Sequence, residues 1–176
     1  VSHSKLLLKL RSYGISGQLF NLIANFLQNR TQQTRVGSSL STITDLTSGV
    51  VQGSVIGPLL FVLFINDVVC LFNDSSCVCK LYADNLKLYT VLESKVDCDK
   101  RQSKLNEICV WSDTWQLKIS YKKCNFMYIG NTDCRVNMLL NDNVLQLVSD
   151  VKDLGVTVDA HLTFNKHIDQ VVARAF

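Results

Sequence analysis

Charge is scarce in this sequence. Asp, Glu, Lys and Arg make up 19% of its 176 residues, against roughly 25% in ordinary soluble domains. With 47% hydrophobic residues, the chain implies either an unusually large core or faces that meet other surfaces. A formal net charge of +3 is too small by itself to mark a polyanion binder. Histidine is scarce too: His3, His161 and His167 lie towards the ends. None is near Cys77-Val78-Cys79, whose one-residue gap also lacks the spacing of a zinc knuckle. No apolar run is long enough to span a bilayer, which takes about 20 residues. The greasiest stretch, residues 55–65 and 68–72, is interrupted by Asn66-Asp67 and by the single proline, Pro58, so a buried core helix is expected there. No targeting segment, internal repeat or disordered linker is visible.

Cysteine is not scarce. Cys70, Cys77, Cys79, Cys98, Cys109, Cys124 and Cys134 form an odd set with irregular spacing, which argues against a disulfide framework and for reduced thiols in an intracellular protein. Several would serve as small apolar core residues.

The chain is long enough for one domain with a sizeable core. Ser4, then Leu7, Leu8 and Leu10, then Gly14 read as cap, apolar face and stop of a first helix. Ser16 can cap a second, whose apolar residues Leu19, Phe20, Ile23, Ala24, Phe26 and Leu27 recur at helical spacing. Two Thr/Val/Ile-rich runs, 31–36 and 40–46, flank a Gly37-Ser38-Ser39 turn. The small-residue loop Ser48-Gly49-Val50-Val51-Gln52-Gly53-Ser54 leads into the greasy helix through Gly57-Pro58. Residues 77–91 read as a hairpin turning at Asp84-Asn85, and 96–115 as an amphipathic helix. Short strands follow at 117–119, 125–129, 136–139, 144–148 and 154–158, with turns at Asn131-Thr132-Asp133 and Asn141-Asp142-Asn143. A last amphipathic segment, 164–176, ends without a cap, and both chain ends look cut.

Three places carry candidate chemistry. Asp84, at a hairpin tip, is a rigid exposed carboxylate suited to a hard cation. Taken alone, Asp84-Asn85 is simply a good turn. In the loop, Gly49 and Gly53 permit close backbone approach to a ligand, and Gln52 and Ser54 can bond a base, sugar or phosphate. Alone, this is a connector. Lys122-Lys123 can neutralise a polyphosphate or donate a proton. Alone, they are two solvated lysines on a strand edge.

Order and combination change that balance. Residues 49–61, Gly-Val-Val-Gln-Gly-Ser-Val-Ile-Gly-Pro-Leu-Leu-Phe, closing on Ile65-Asn66-Asp67, closely resemble motif B of non-LTR (LINE-like, jockey-type) reverse transcriptases. Tyr82-Ala83-Asp84-Asn85 resembles their metal-binding hairpin, motif C. Residues 115–123 resemble motif D, and Asp153-Leu154-Gly155-Val156 resembles the primer grip, motif E. Val1-Ser2-His3 fits only the tail of motif A, so the motif A aspartate would lie upstream of Val1. Asn85 replaces the usual second aspartate, and a carboxamide is a neutral, weaker ligand.

The resemblance implies an α+β fold: an antiparallel polymerase palm sheet backed by helices. Residues 1–47 would be a fingers and palm remnant, 48–150 the palm, and 151–176 motif E with the start of the thumb. It implies RNA-directed DNA synthesis by a two-metal route using Mg2+ (or Mn2+), an RNA template, a DNA primer and deoxynucleoside triphosphates, without a membrane, in the nucleus or cytoplasm. Asp84 would be a catalytic metal ligand, with Asn85 a weak one. Gly49, Gln52, Gly53 and Ser54 would contact template and nucleotide. Lys123 would serve the pyrophosphate side, and Leu154 and Gly155 the primer. With one carboxylate retained, this chain is expected to be inactive alone. The alternatives are a non-catalytic nucleic-acid-binding remnant and an unstable product of a decayed element.

Overall fold

The computed structural model describes residues 1–73, 77–131 and 135–175. Cys134, two residues of the turn expected at 131–133, and Phe176 lie outside the described residues. The described chain is α+β, with helices α1 (His3–Ser12), α2 (Gly17–Leu27), α3 (Gly57–Ile65), α4 (Lys95–Trp115) and α5 (Asn165–Ala175). Its strands form two-stranded ladders, six among the described residues and none joined to another. All are antiparallel except Gln146–Leu147 with Asn125–Phe126. Most strands are only two residues long, too short to carry further partners. The chain divides into two compact units, Val1–Tyr89 with Val110–Lys118, and Thr90–Cys109 with Ile119–Phe176.

In the first unit, α1 ends where Gly14 permits it. At φ +81° Gly14 adopts the left-handed conformation. Its N–H donates to Arg11 O at 2.9 Å, and the Ile15 N–H reaches Leu10 O at 3.0 Å. This is the paired Schellman closure, which satisfies carbonyls the helix leaves open. The start differs from expectation: Ser4 lies within α1, the cap position is Ser2, and no side-chain cap bond forms there. The buried face is Leu6, Lys9 and Leu10, whereas Leu8 points outward. Similarly, α2 buries Ile23 and Leu27 and leaves Leu19 exposed.

The outer hairpin turns through Gly37-Ser38 alone, because Ser39 pairs with Val36. Further rungs join Thr31–Gln32 to Thr44–Asp45. Pro58 sits in the first turn of α3, where its missing N–H is not needed. Only one side of this greasy helix is covered: Leu60, Phe64 and Ile65 are buried, Leu59 and Val62 exposed. After Ile65 the backbone tightens into a 3-10 segment, Asn66–Phe72. Leu6, Leu10, Ile23, Leu27, Leu60, Phe64 and Ile65 form one core cluster, each burial contributing about 1.5–3 kcal/mol. Trp115 meets Phe64 edge-on at 6.2 Å between ring centroids.

No strand forms at 117–119. Instead the Leu117 N–H donates to Ser112 O at 2.9 Å, and the buried Ser112 hydroxyl donates to Leu117 O at 2.6 Å. These bonds fold the chain back onto the end of α4.

The second unit has a smaller core of Cys109, Met138, Leu140 and Leu145. Gln102 on α4 acts as a surrogate strand partner. Its amide oxygen accepts the Leu139 N–H, and its nitrogen donates to Leu139 O, both at 2.9 Å. Leu140 pairs with Asn143 around Asn141-Asp142, both with positive φ. Asp153 pairs with Val156 around Leu154-Gly155, again with both φ positive. Such two-residue turns match the twist of the strands they join. The strand expected from residue 154 therefore begins at Val156. Asp159 holds the entry to α5, accepting from the backbone N–H groups of His161, Thr163 and Phe164 and from the Thr163 hydroxyl. Burial pushes its carboxyl up, but these bonds outweigh it and hold the pKa at about 2. None of the six described cysteines is in a disulfide.

Candidate nucleic-acid interface

The 48–54 loop is anchored at both ends by its own unit. Ser2 bridges to Ser48, and the Gly49 N–H donates to Val1 O at 2.6 Å. The Nε2 of His3 lies 2.9 Å from Gly49 O. Gly49 can be held this way because it sits at φ +96°, where a side chain would be strained. At the other end the Ser54 hydroxyl donates to Val51 O at 2.6 Å and accepts the Gly57 N–H at 3.0 Å. The Ser54 side chain is thus engaged in shaping the loop and opening α3. Gln52 and Gly53 are exposed between these anchors. The sequence reading placed Gly57 within the motif B string and at the helix start, but gave it no packing role in the loop. A Cβ there would lie 2.8 Å from both Val51 O and Ser54 Oγ, so only glycine fits. No sequence signal reveals this, because the neighbouring atoms come from the folded loop.

The hairpin Val78–Tyr82/Asn85–Tyr89 pairs Tyr82 with Asn85. Its turn is therefore Ala83-Asp84, with Ala83 at φ +50°, and Asn85 is the first residue of the return strand rather than a turn residue. Asp84 and Asn85 are both exposed. On the alternate face, Leu81 packs against the core cluster that also receives Val50 of the loop. One core therefore supports both the loop and the hairpin.

Lys123 ends a 3-10 turn, Tyr121–Lys123, rather than a strand edge, and is exposed. Leu154 and Gly155 form an exposed hairpin turn. These three belong to the second unit, whereas Gly49, Gln52, Gly53, Ser54, Asp84 and Asn85 belong to the first.

The donors at the hairpin tip do not make a metal centre. Magnesium prefers six oxygen ligands, and the tip offers one carboxylate and one carboxamide. No group of three or more His, Cys, Asp or Glu suited to a metal ion occurs among the described residues. Among those residues, no helix is long and apolar enough to cross a membrane.

One buried charge escaped the sequence reading altogether. Lys9, 2% exposed, donates to Phe64 O and to the Asp67 carboxylate, both at 2.5 Å. The Trp111 indole N–H donates to the same Asp67 oxygen at 3.2 Å. The Lys9 ammonium also lies 3.9 Å from the Trp115 ring centroid and 4.6 Å from those of Trp111 and Phe64. Burial lowers its pKa, and Asp67 opposes that shift. Only the spacing of Lys9 from Leu6 hinted at the inner face.

The family described as reverse transcriptase (RNA-dependent DNA polymerase) matches residues 1–158. The chain is 31% identical over 176 residues to the RNA-directed DNA polymerase from mobile element jockey of Drosophila funebris, covering 96% of this chain and 19% of that protein. It is 29% identical over 161 residues to the jockey polymerase of Drosophila melanogaster, covering 88% of this chain and 18% of the relative. It is also 29% identical over 169 residues to the probable RNA-directed DNA polymerase from transposon BS of Drosophila melanogaster, covering 89% and 18%. The chain thus spans about a fifth of the length of these curated relatives.

Proposed function

The chain belongs to the reverse transcriptase family, of the non-LTR (LINE-like) kind, and on that premise we propose that it forms the palm part of the surface that receives primer–template and incoming nucleotide. The observation that carries this reading is the anchored 48–54 loop, which leaves Gln52 and Gly53 exposed on the core that also supports the Asp84 hairpin. The relatives are named as RNA-directed DNA polymerases, so the ligands proposed are an RNA template, a DNA primer and deoxynucleoside triphosphates.

In this reading Gln52 and the backbone at Gly49 and Gly53 approach template and nucleotide. Ser54 acts by holding the loop rather than by touching a ligand. Lys123, as an exposed cation, neutralises phosphate, and the Leu154-Gly155 turn lies against the primer. Asp84 contributes one carboxylate to polymerisation. The donors present do not complete a metal site, so the chain alone binds nucleic acid without extending it.

The test is anisotropy of a labelled DNA primer on an RNA template, titrated with the chain at several salt concentrations, together with a primer-extension assay. Binding that weakens as salt rises, and that Gln52→Ala weakens further without altering the fold, supports the reading. A folded chain with no affinity would overturn it. Extension by the chain alone would overturn the donor argument.

A further inference from the structure

The Lys9–Asp67 pair is unused by any role assigned above, yet Lys9 lies on α1, which holds one end of the loop, and Asp67 closely follows α3, which holds the other. The start of α1 grips the loop at Ser48 and Gly49, and its last turns carry Lys9. At the other end of the loop, the N–H of Gly57, the first residue of α3, donates to the Ser54 hydroxyl. Near the end of α3 lies Phe64, whose carbonyl accepts from Lys9, and Asp67 follows two residues after Ile65, in the 3-10 segment. The two helices pack together. A shift of α1 along α3 would therefore move the Gly49 anchor relative to the Gly57 anchor.

Apolar side chains resist such a slide only softly, because leucine against leucine tolerates several registers. A buried ammonium does not. It must keep its oxygen partners or remain desolvated without compensation, and buried polar pairing is best attested as a device for fixing register. The rings of Phe64, Trp111 and Trp115 around the ammonium add attraction that also depends on position.

We propose that Lys9 and Asp67 are positioning residues that lock α1 against α3 and so set the spacing of the two anchors of the 48–54 loop. The proposal rests on the reading of that loop as a template- and nucleotide-contacting element, but its test does not.

Amide hydrogen exchange in the whole chain reads the anchors directly, at the Gly49 N–H and the Gly57 N–H. The variants are Lys9→Met, which keeps the apolar stem, and Asp67→Asn, which keeps the shape. Both should speed exchange at Gly49 and Gly57 by roughly tenfold or more, as a local opening. Ile23 and Leu27 in α2, and Leu139, should keep their protection. Should Lys9→Met fail to fold, Asp67→Asn decides the matter. Unchanged exchange at the two glycines in a folded variant overturns the proposal. So does a uniform rise that includes α2, which is what a merely structural residue would give. Primer–template binding by the same variants is read separately. Loosened glycines with unchanged binding leave the lock standing and remove the contact role of the loop.

Discussion

The two units stabilise themselves in different ways. The first buries large side chains from helices distant in sequence: Leu6 and Leu10, Ile23 and Leu27, Leu60 and Phe64. Among the described residues the second has a smaller cluster of Cys109, Met138, Leu140 and Leu145, with Cys98, Ile108 and Tyr128 also buried, and relies on local devices. These are two turns with paired positive φ, a glutamine standing in for a strand, and an aspartate that gathers four donors. Long-range packing fixes where the 48–54 loop and the Asp84 hairpin stand. Local turn chemistry fixes the shape of the Leu154-Gly155 tip whatever lies beneath it.

Truncating each core tests that contrast most severely. Phe64→Ala removes a fully buried ring and its edge contact with Trp115, and should destabilise by about 3–5 kcal/mol. Met138→Ala should lie near the bottom of the 2–5 kcal/mol range for such changes. Urea unfolding followed by tryptophan fluorescence and far-UV circular dichroism measures both. An equal loss from Met138→Ala would break the comparison.

Gly57→Ala probes the packed loop with a single methyl group. The added Cβ meets the Val51 carbonyl, which is backbone and cannot rotate away. Overpacking of this kind costs about 1–3 kcal/mol. Primer–template affinity should fall together with stability, and wild-type affinity in this variant would detach the loop from binding.

In the second unit the corresponding probe is pH. The Asp159 carboxyl is held at about 2, below its ordinary value of 3.8. A depressed carboxylate stabilises the fold fully above its unfolded pKa, and that contribution fades as pH falls through about 4 towards 2. The helical signal of α5 should therefore decline over that window, and Asp159→Ala should reduce the decline to the part carried by Asp150, whose carboxyl the Lys166 ammonium of α5 also holds low. Backbone resonances of Thr163 and Phe164 report it. A titration unchanged by Asp159→Ala would show that α5 does not depend on this cap.

Much of the helical framework was legible because apolar periodicity and glycine stops are local. Gly14, Pro58 and the 96–115 helix each fall where the sequence places them. The order of motifs identified the family, which the comparisons establish independently. The inner face of α1 was not legible, because Lys9 is buried among partners distant in sequence: Phe64, Asp67 and two tryptophans more than a hundred residues away. Nor was the fate of Ser54, since its hydroxyl could face a ligand or its own backbone with equal ease. The tip of the metal-type hairpin was misread by one residue. Asp84-Asn85 is a good turn by composition, but register against Tyr82 decides the turn, and it selects Ala83-Asp84.

The smallest expected effect sharpens the contrast from the opposite side. Leu154 sits at φ +47°, exposed, in a turn where it covers no core. Holding a leucine in the left-handed region costs roughly 1–2 kcal/mol, and glycine escapes that cost while losing more entropy on folding. Leu154→Gly should therefore stabilise the second unit slightly, by about 0.5–1 kcal/mol, seen as a higher urea midpoint. If Leu154 is kept despite its strain because it meets the primer, the same variant should bind primer–template more weakly. A gain in stability with loss of affinity would mark the residue as functional. Destabilisation would instead show that its side chain packs, and that the second unit owes more to burial than its turns suggest.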